Sequence, residues 1–245
     1  MSTGLGGRVE VGEDEAAVAA VAAEWIAERC ARGRTRPDAF RIALAGGSTP
    51  RRLYQLLATP PWRERIDWAA WHVYFGDERA CPPDDPRSNY HMAREWLLGQ
   101  VPIDPARIFR MRGEASDLAA AAAEYSQLLA TTCPTGPRGA PRLDCLLLGL
   151  GENGHVASLF PGSAALEVDG AWATTGLADY EPYERITITL PTINAAAAIG
   201  FLVVGAAKGE ALRSTAAGTS VAARVRPLDG ELRWFLDRAA AAELR

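Results

Sequence analysis

The chain has 245 residues, of which 48% are hydrophobic and 23% charged, with a formal net charge of −4. These proportions are those of a soluble globular protein and exclude the disordered and fibrous classes. The acidic balance excludes a general nucleic-acid backbone binder, while an anionic ligand held by a local basic cluster stays open.

The length suits one large α/β domain or two small ones, and a single domain over residues 1–245 is expected. Cys30, Cys81, Cys133 and Cys145 lie far apart without a CxxC pair, and Cys145 falls inside an apolar run. Reduced thiols fit that pattern better than a disulfide framework or a zinc site. The opening MSTGLGGRVE lacks the apolar centre of a signal peptide, and no apolar run nears the roughly 20 residues of a membrane helix. A cytoplasmic protein without membrane contact is expected.

Residues 14–32 carry Val18, Val21 and Trp25 at helical spacing, with Ala22 and Ile26 widening the stripe and Gly33 at the C-cap position. Residues 40–45 read as a short buried strand, followed by Gly46, Gly47, Ser48, Thr49 and Pro50 and then a helix with Leu53, Leu56 and Leu57 inward. Thr49 as N-cap and Pro50 as first helical residue would start that helix. A strand, a glycine turn and a helix N-terminus gather free backbone N–H groups, a setting that suits a phosphate. Arg51 and Arg52 oppose the positive end of the helix dipole unless an anion lies close; the alternative is a tight turn with two solvated arginines.

Residues 71–75 form another buried strand, with His72 read as a core or edge residue. It runs into Gly76, Asp77, Glu78 and Arg79, then the proline-rich loop ACPPDDPRSN, then a helix over about 89–98 that Ser88 can cap. Loops this long inside a compact domain tend to be functional. The acid–acid–arginine cluster at a strand end points the same way, with a salt-bridged corner as the alternative. Residues 116–130 are alanine-rich and helical, and 131–141 form a proline and glycine linker.

Residues 143–150 are apolar except for Asp144 and end abruptly in GENGH. Such a run, bounded by turn residues, reads as a strand buried on both faces, as in a parallel sheet covered by helices. Its exit lies at the carboxyl edge, where open α/β sheets bind ligands, and His155 sits in that exit. A strand near 171–175 and a loop at 180–185 follow. Residues 185–190 alternate their threonines outward, which predicts a half-exposed or edge strand. Residues 199–205 are again apolar, with Lys208 three residues beyond Gly205 as a second phosphate ligand or a solvated lysine. Residues 231–236 read as a last strand, with a short helix at the tail.

The fold class is therefore α/β: a mostly parallel, Rossmann-like sheet flanked by helices on both faces. Four strand exits, at 46–49, 76–79, 149–155 and 205–208, end in glycine followed by polar groups and would converge on one edge of the sheet. They would collect an imidazole, an arginine, a lysine, carboxylates and an amide-rich turn. With no GxSxG or HExxH unit and no long GxGxxG unit with a ribose-binding acid, the inventory suits acid–base chemistry on a small phosphorylated substrate, with neither cofactor nor metal.

Taken together, ALAGGSTP, FGDER with its proline-rich loop and SNY, GLGENGHVASLFPG, GAAKGEALR and RWFLDRAAA resemble the 6-phosphogluconolactonase family, from Asp14 nearly to the end of the chain. The resemblance implies the sugar-phosphate isomerase type of α/β fold and hydrolysis of 6-phospho-D-glucono-1,5-lactone to 6-phosphogluconate, the second step of the oxidative pentose phosphate pathway. His155 would be the general base, since an imidazole titrates near pH ~6.5 and can accept a proton at working pH. By the same resemblance Gly46, Gly47, Ser48, Thr49, Arg79 and Lys208 would bind the phosphate or the developing oxyanion, supported by Asp77, Glu152 and Asn153. The partner implied is a small sugar-phosphate lactone, with no nucleic acid or membrane, and a monomer or weak homo-oligomer is expected.

The family usually has Asp before the Gly–His pair, whereas this chain has Asn153, with the acid Glu152 displaced by one residue. Asparagine can orient a group through its carbonyl oxygen but cannot stabilise an imidazolium by charge. Either the acid is dispensable for lactone hydrolysis, or Glu152 substitutes, or the protein is slow. Two rivals remain: a glucosamine-6-phosphate deaminase-like isomerase, which typically has tyrosine where this chain has Arg79 and AFNEP where it has ASLFP, and a non-catalytic sugar-phosphate sensor. Asn153→Asp is expected to leave the turnover rate within about tenfold of the parent, roughly 1.4 kcal/mol of barrier.

Overall fold

A computed structural model describes residues 4–33 and 39–244. The strands are β1 (Arg8–Gly12), β2 (Phe40–Leu44), β3 (Trp71–Phe75), β4 (Asp77–Arg79), β5 (Cys145–Gly149), β6 (Ala173–Leu177), β7 (Glu184–Ile188), β8 (Ala198–Val203) and β9 (Glu231–Asp237). The helices are α1 (Glu15–Gly33), α2 (Ser48–Leu57), α3 (Trp62–Arg65), α4 (Asn89–Ala93), α5 (Leu118–Thr132), α6 (Leu190–Ala195), α7 (Gly209–Ala216) and α8 (Arg238–Ala241).

Six strands form a wholly parallel sheet in the order β1-β9-β8-β5-β2-β3. Strand alternation divides its side chains between two cores. Phe40, Ile42, Leu44, Cys145 and Leu147 pack with α1 and α2, while Ala43, Leu146, Leu148, Ile199 and Phe201 pack with α5 and α7. Both faces of β5 are covered, as its unbroken apolar run predicts. After β2 the chain adds β3 on one side, then returns to place β5 on the other and continues through β8 to β9. The order thus reverses between β2 and β5, and the crevice at such a switch is where open sheets of this kind take ligands.

β4, β7 and β6 form a second, antiparallel sheet with β7 in its centre. Two expectations are corrected here. Asp77 and Arg79 belong to a strand rather than a free exit turn. The segment expected as half-exposed, with its threonines outward, is instead buried, with Arg185 1% and Thr187 0% exposed. The alternation itself is real, but the chain after β5 covers the face carrying Arg185 and Thr187, and the Ser158 N–H donates to Thr187 Oγ1 at 3.2 Å. β1 was not predicted; it is a short strand with a mixed exposure pattern, added in parallel to β9. The helix expected over 89–98 keeps its Ser88 cap, which accepts from the His91 N–H at 3.1 Å, but widens to a π turn from Arg94 to Leu98.

Glu78 ties the small sheet to α4. Its buried carboxylate accepts from the backbone N–H of Asn89 (2.7 Å), Tyr90 (2.9 Å) and Arg79 (2.8 Å) and from Ser88 Oγ (2.9 Å). Burial pushes the Glu78 carboxyl pKa up, and these hydrogen bonds oppose the shift; a negative charge at a helix N-terminus is favourable. Glu78→Ala is expected to lower the unfolding free energy by about 1.5–3 kcal/mol, because it strips an ionised acceptor from buried donors, measured as a shift of the urea midpoint.

Candidate active site

Polar groups emerge at the carboxyl edge of the parallel sheet, beside the β2/β5 crevice. The turn after β2 carries Gly47 at φ 97°, a backbone conformation only glycine takes freely, and α2 begins directly after it at Ser48 with Gly47 as N-cap. The expectation of Thr49 as cap is thereby corrected: the glycine turn brings the helix start forward, and Thr49 and Pro50 fall inside the first turn. No side chain caps this end, so the free N–H groups of α2 stay available, as an anion site requires. Arg51 and Arg52 are exposed and do not line the cavity, which favours the solvated reading of that pair.

The exit of β5 carries His155. Its ring Nδ1 lies 2.6 Å from Asn153 Oδ1, which also accepts the His155 backbone N–H at 3.1 Å. The imidazole stacks on Phe160 with ring centroids 4.1 Å apart and faces Tyr180 at 6.5 Å. It also lies against the backbone of Gly151, where a Cβ would overlap the ring, so the first glycine of GENGH is a steric requirement of the histidine's position. Burial holds the His155 pKa below the usual imidazole value; Asp77 and Asp179 push it up, and Lys208 and Arg185 push it further down.

The small sheet forms the opposite wall. Asp77 pairs with Thr187 and Arg79 with Arg185 across β4 and β7, so all four share one face. Asp77 is clamped: its Oδ2 accepts from Ser158 Oγ at 2.6 Å and its Oδ1 from Asn89 Nδ2 at 3.1 Å. Arg79 donates through Nη1 to the Arg87 carbonyl, and its buried Nε has no partner among the described residues. None of the three guanidinium nitrogens of Arg185 has a hydrogen-bond partner among the described residues, and the group sits over the Tyr180 ring at 5.1 Å. Burial lowers the Arg185 pKa, as does the neighbouring Arg79, while Asp77 opposes the shift.

Lys208, just past β8, completes the ring, with Nζ 4.0 Å from Glu152 Oε1. Glu152 therefore faces the lysine and has no hydrogen bond to His155 among those formed, so the displaced acid does not take the place of the family Asp beside the imidazole. Gly46, Gly47, Ser48, Thr49, Asp77, Arg79, Glu152, Asn153, His155 and Lys208, every site residue expected from sequence, line one cavity of about 680 Å³. Sequence reasoning missed Asp179, which lines the cavity, and Arg185, which is buried behind its wall beside Arg79. Arg185 carried a signal, since it stands in phase with Thr187 and Thr189 in RITIT and a strand parity assigned inward would have put it in the interior. Asp179 carried none. His72 lies on the outermost strand β3 against Phe109, away from this cavity. Among the described residues no three His, Cys, Asp or Glu side chains are grouped to hold a metal ion.

Comparison with known proteins gives a consistent picture. Residues 13–234 match the family described as glucosamine-6-phosphate isomerases/6-phosphogluconolactonase. A protein named 6-phosphogluconolactonase from Nostoc sp. is 40% identical over 240 residues, covering 96% of this chain and 98% of its own. The solved 6-phosphogluconolactonase of Trypanosoma brucei superposes with a TM-score of 0.86 at 31% identity, over 98% of this chain and 100% of that one. A monomeric glucosamine-6-phosphate deaminase also superposes, with a TM-score of 0.80 at 25% identity over 96% of this chain and 99% of its own.

A buried guanidinium without hydrogen-bond partners destabilises the fold that holds it. Arg185→Met, of similar length and apolar, is expected to raise the melting temperature of the ligand-free protein by a few degrees, for roughly 1 kcal/mol of added stability. A lower melting temperature in a thermal melt would show that the guanidinium is satisfied inside the fold.

Proposed function

The chain belongs to the glucosamine-6-phosphate isomerase/6-phosphogluconolactonase family, and from that premise we propose that it hydrolyses 6-phospho-D-glucono-1,5-lactone with His155 as general base. The observation that carries the reading is the hydrogen bonding of the imidazole. Asn153 Oδ1 already accepts the His155 backbone N–H, so the atom facing Nδ1 is the oxygen. An oxygen acceptor requires the proton on Nδ1, and the lone pair is then on Nε2, free to take a proton from water.

The uncapped start of α2, at Gly47, Ser48 and Thr49, receives the phosphate with the help of Lys208 across the cavity. Water gives its proton to Nε2 as its oxygen bonds to the lactone carbonyl carbon. Arg79, which lines the cavity, offers a guanidinium donor to the oxyanion that develops there. The tetrahedral intermediate collapses by breaking the bond from that carbon to the ring oxygen. The imidazolium returns its proton to the departing oxygen, leaving a hydroxyl and a carboxylic acid, which releases its remaining proton to solvent and becomes a carboxylate. Asp77 and Asp179 stabilise the transient imidazolium by charge. A deaminase-type isomerase is disfavoured because Arg79 stands where that group has tyrosine, and a sensor would need none of this proton bookkeeping.

The test generates the lactone in situ with glucose-6-phosphate dehydrogenase and follows its disappearance above the spontaneous rate. His155→Ala is expected to fall to that background, and equal rates for parent and variant would sink the proposal. A base must be neutral to act, so kcat/KM should decline as pH falls through the His155 pKa and level off above it. Because burial lowers that pKa, the midpoint of the limb is expected below about 6.5, after subtraction of base-catalysed lactone opening.

A further inference from the structure

The departure at Asn153 acquires a physical role from a residue 26 positions further on. Asn153 Nδ2 donates to Asp179 Oδ2 at 3.0 Å, while its Oδ1 accepts from His155. Asp179 comes from the hairpin between β6 and β7, whose ends are joined by the Ala178 N–H donating to the Tyr183 carbonyl at 2.7 Å. The same hairpin brings Tyr180 to Phe160 and His155.

We propose that Asp179 is a positioning residue for the reaction: acting through the Asn153 amide, it supplies at one remove the negative charge that an aspartate at 153 would place directly on the imidazole. The inference rests on His155 being the base. An amide turned the other way would set its NH₂ against the His155 backbone N–H and its oxygen against a carboxylate. Asp179 and that N–H therefore both hold Oδ1 toward Nδ1. A carboxylate hydrogen-bonded to the amide N–H also polarises the amide, drawing electron density onto Oδ1 and strengthening its acceptance of the Nδ1 proton when Nε2 becomes protonated. Asparagine at 153 and aspartate at 179 thus work as a pair. Aspartate at both positions would set two carboxylates about 3 Å apart with no proton between them, a repulsive arrangement.

The other charged or titratable groups around His155 are Asp77 and Arg79 on β4, Arg185 on β7, Tyr180 on the hairpin, Lys208 after β8 and Glu152 on its own loop. All remain in place in the variants that follow. In Asp179→Ala, kcat is expected to fall roughly tenfold, the low end of the cost of losing an outer-shell partner of a functional histidine, with KM nearly unchanged. The His155 ring titration, followed by NMR without substrate and assigned by its absence from His155→Ala, should move down by roughly half a unit to one unit. Asp179→Asn, which keeps an acceptor but not the charge, should show the same titration shift with a smaller loss of kcat.

The decisive variant exchanges the pair. Asn153→Asp combined with Asp179→Asn restores an acceptor toward Nδ1 and a donor behind it, and should recover kcat to within about twofold of the parent, above either single variant, the non-additivity expected of a coupled pair. An Asp179→Ala protein with unchanged kcat and unchanged His155 titration would overturn the inference while leaving the base assignment intact. So would an exchanged pair no better than its worse single variant. Turnover undiminished in His155→Ala would overturn the base assignment itself, and the inference with it.

Discussion

The burial of β5 on both faces is the constraint from which the site follows. A strand covered above and below by helices can carry no chemistry along its length, so its functional groups are confined to where it leaves the sheet. Cys145 to Leu148 are all essentially inaccessible, and His155 stands just past the strand, in a turn tight enough for its own ring to lie on Gly151. The neighbouring strand β2 leaves by a glycine turn of the same kind, and the reversal of strand order keeps the two exits apart as the sides of one crevice. On the proposed reading the phosphate would lie at one exit and the base at the other.

The small antiparallel sheet turns that crevice into an asymmetric cavity. It presents Asp77, Arg79, Arg185 and Thr187 on one face, and the network around Glu78, Ser88 and Asn89 holds that face against α4. Two arginines side by side, one wholly buried and without hydrogen-bond partners among the described residues, make an arrangement that is poor for stability and sets positive charge at and behind the cavity wall. Asp77, immobilised by Ser158 and Asn89, keeps a compensating negative charge near both the arginines and the imidazole. The cavity is therefore not uniformly basic: cations gather where phosphate and oxyanion charge would lie, and carboxylates where an imidazolium would form.

Much of this was legible in the residues themselves. The parallel strands announced themselves as short apolar runs ending in glycine, and β3 has the predicted bounds. Those exits were also where the polar residues clustered, so His155, Arg79, Lys208 and the glycine turn could be named together. What failed were inferences that needed a neighbour. Thr49 has the chemistry of a cap, but the conformation of Gly47 decides where α2 starts. Thr187 and Thr189 alternate as an exposed face would, but the chain after β5 folds over them.

The sequence by itself determined the parallel α/β architecture and which strand ends gather the polar residues of the cavity, because apolar periodicity and glycine punctuation are local and each strand carries its own. Only the tertiary structure decided that Arg185 lies buried beside Arg79, that Glu152 faces Lys208 rather than His155, and that Asp179 stands behind Asn153. Each of these is a contact between segments far apart in the chain, set by the pairing of the β4–β7–β6 sheet and its packing over the main one. No local pattern encodes a hydrogen bond whose two ends are brought together by that packing.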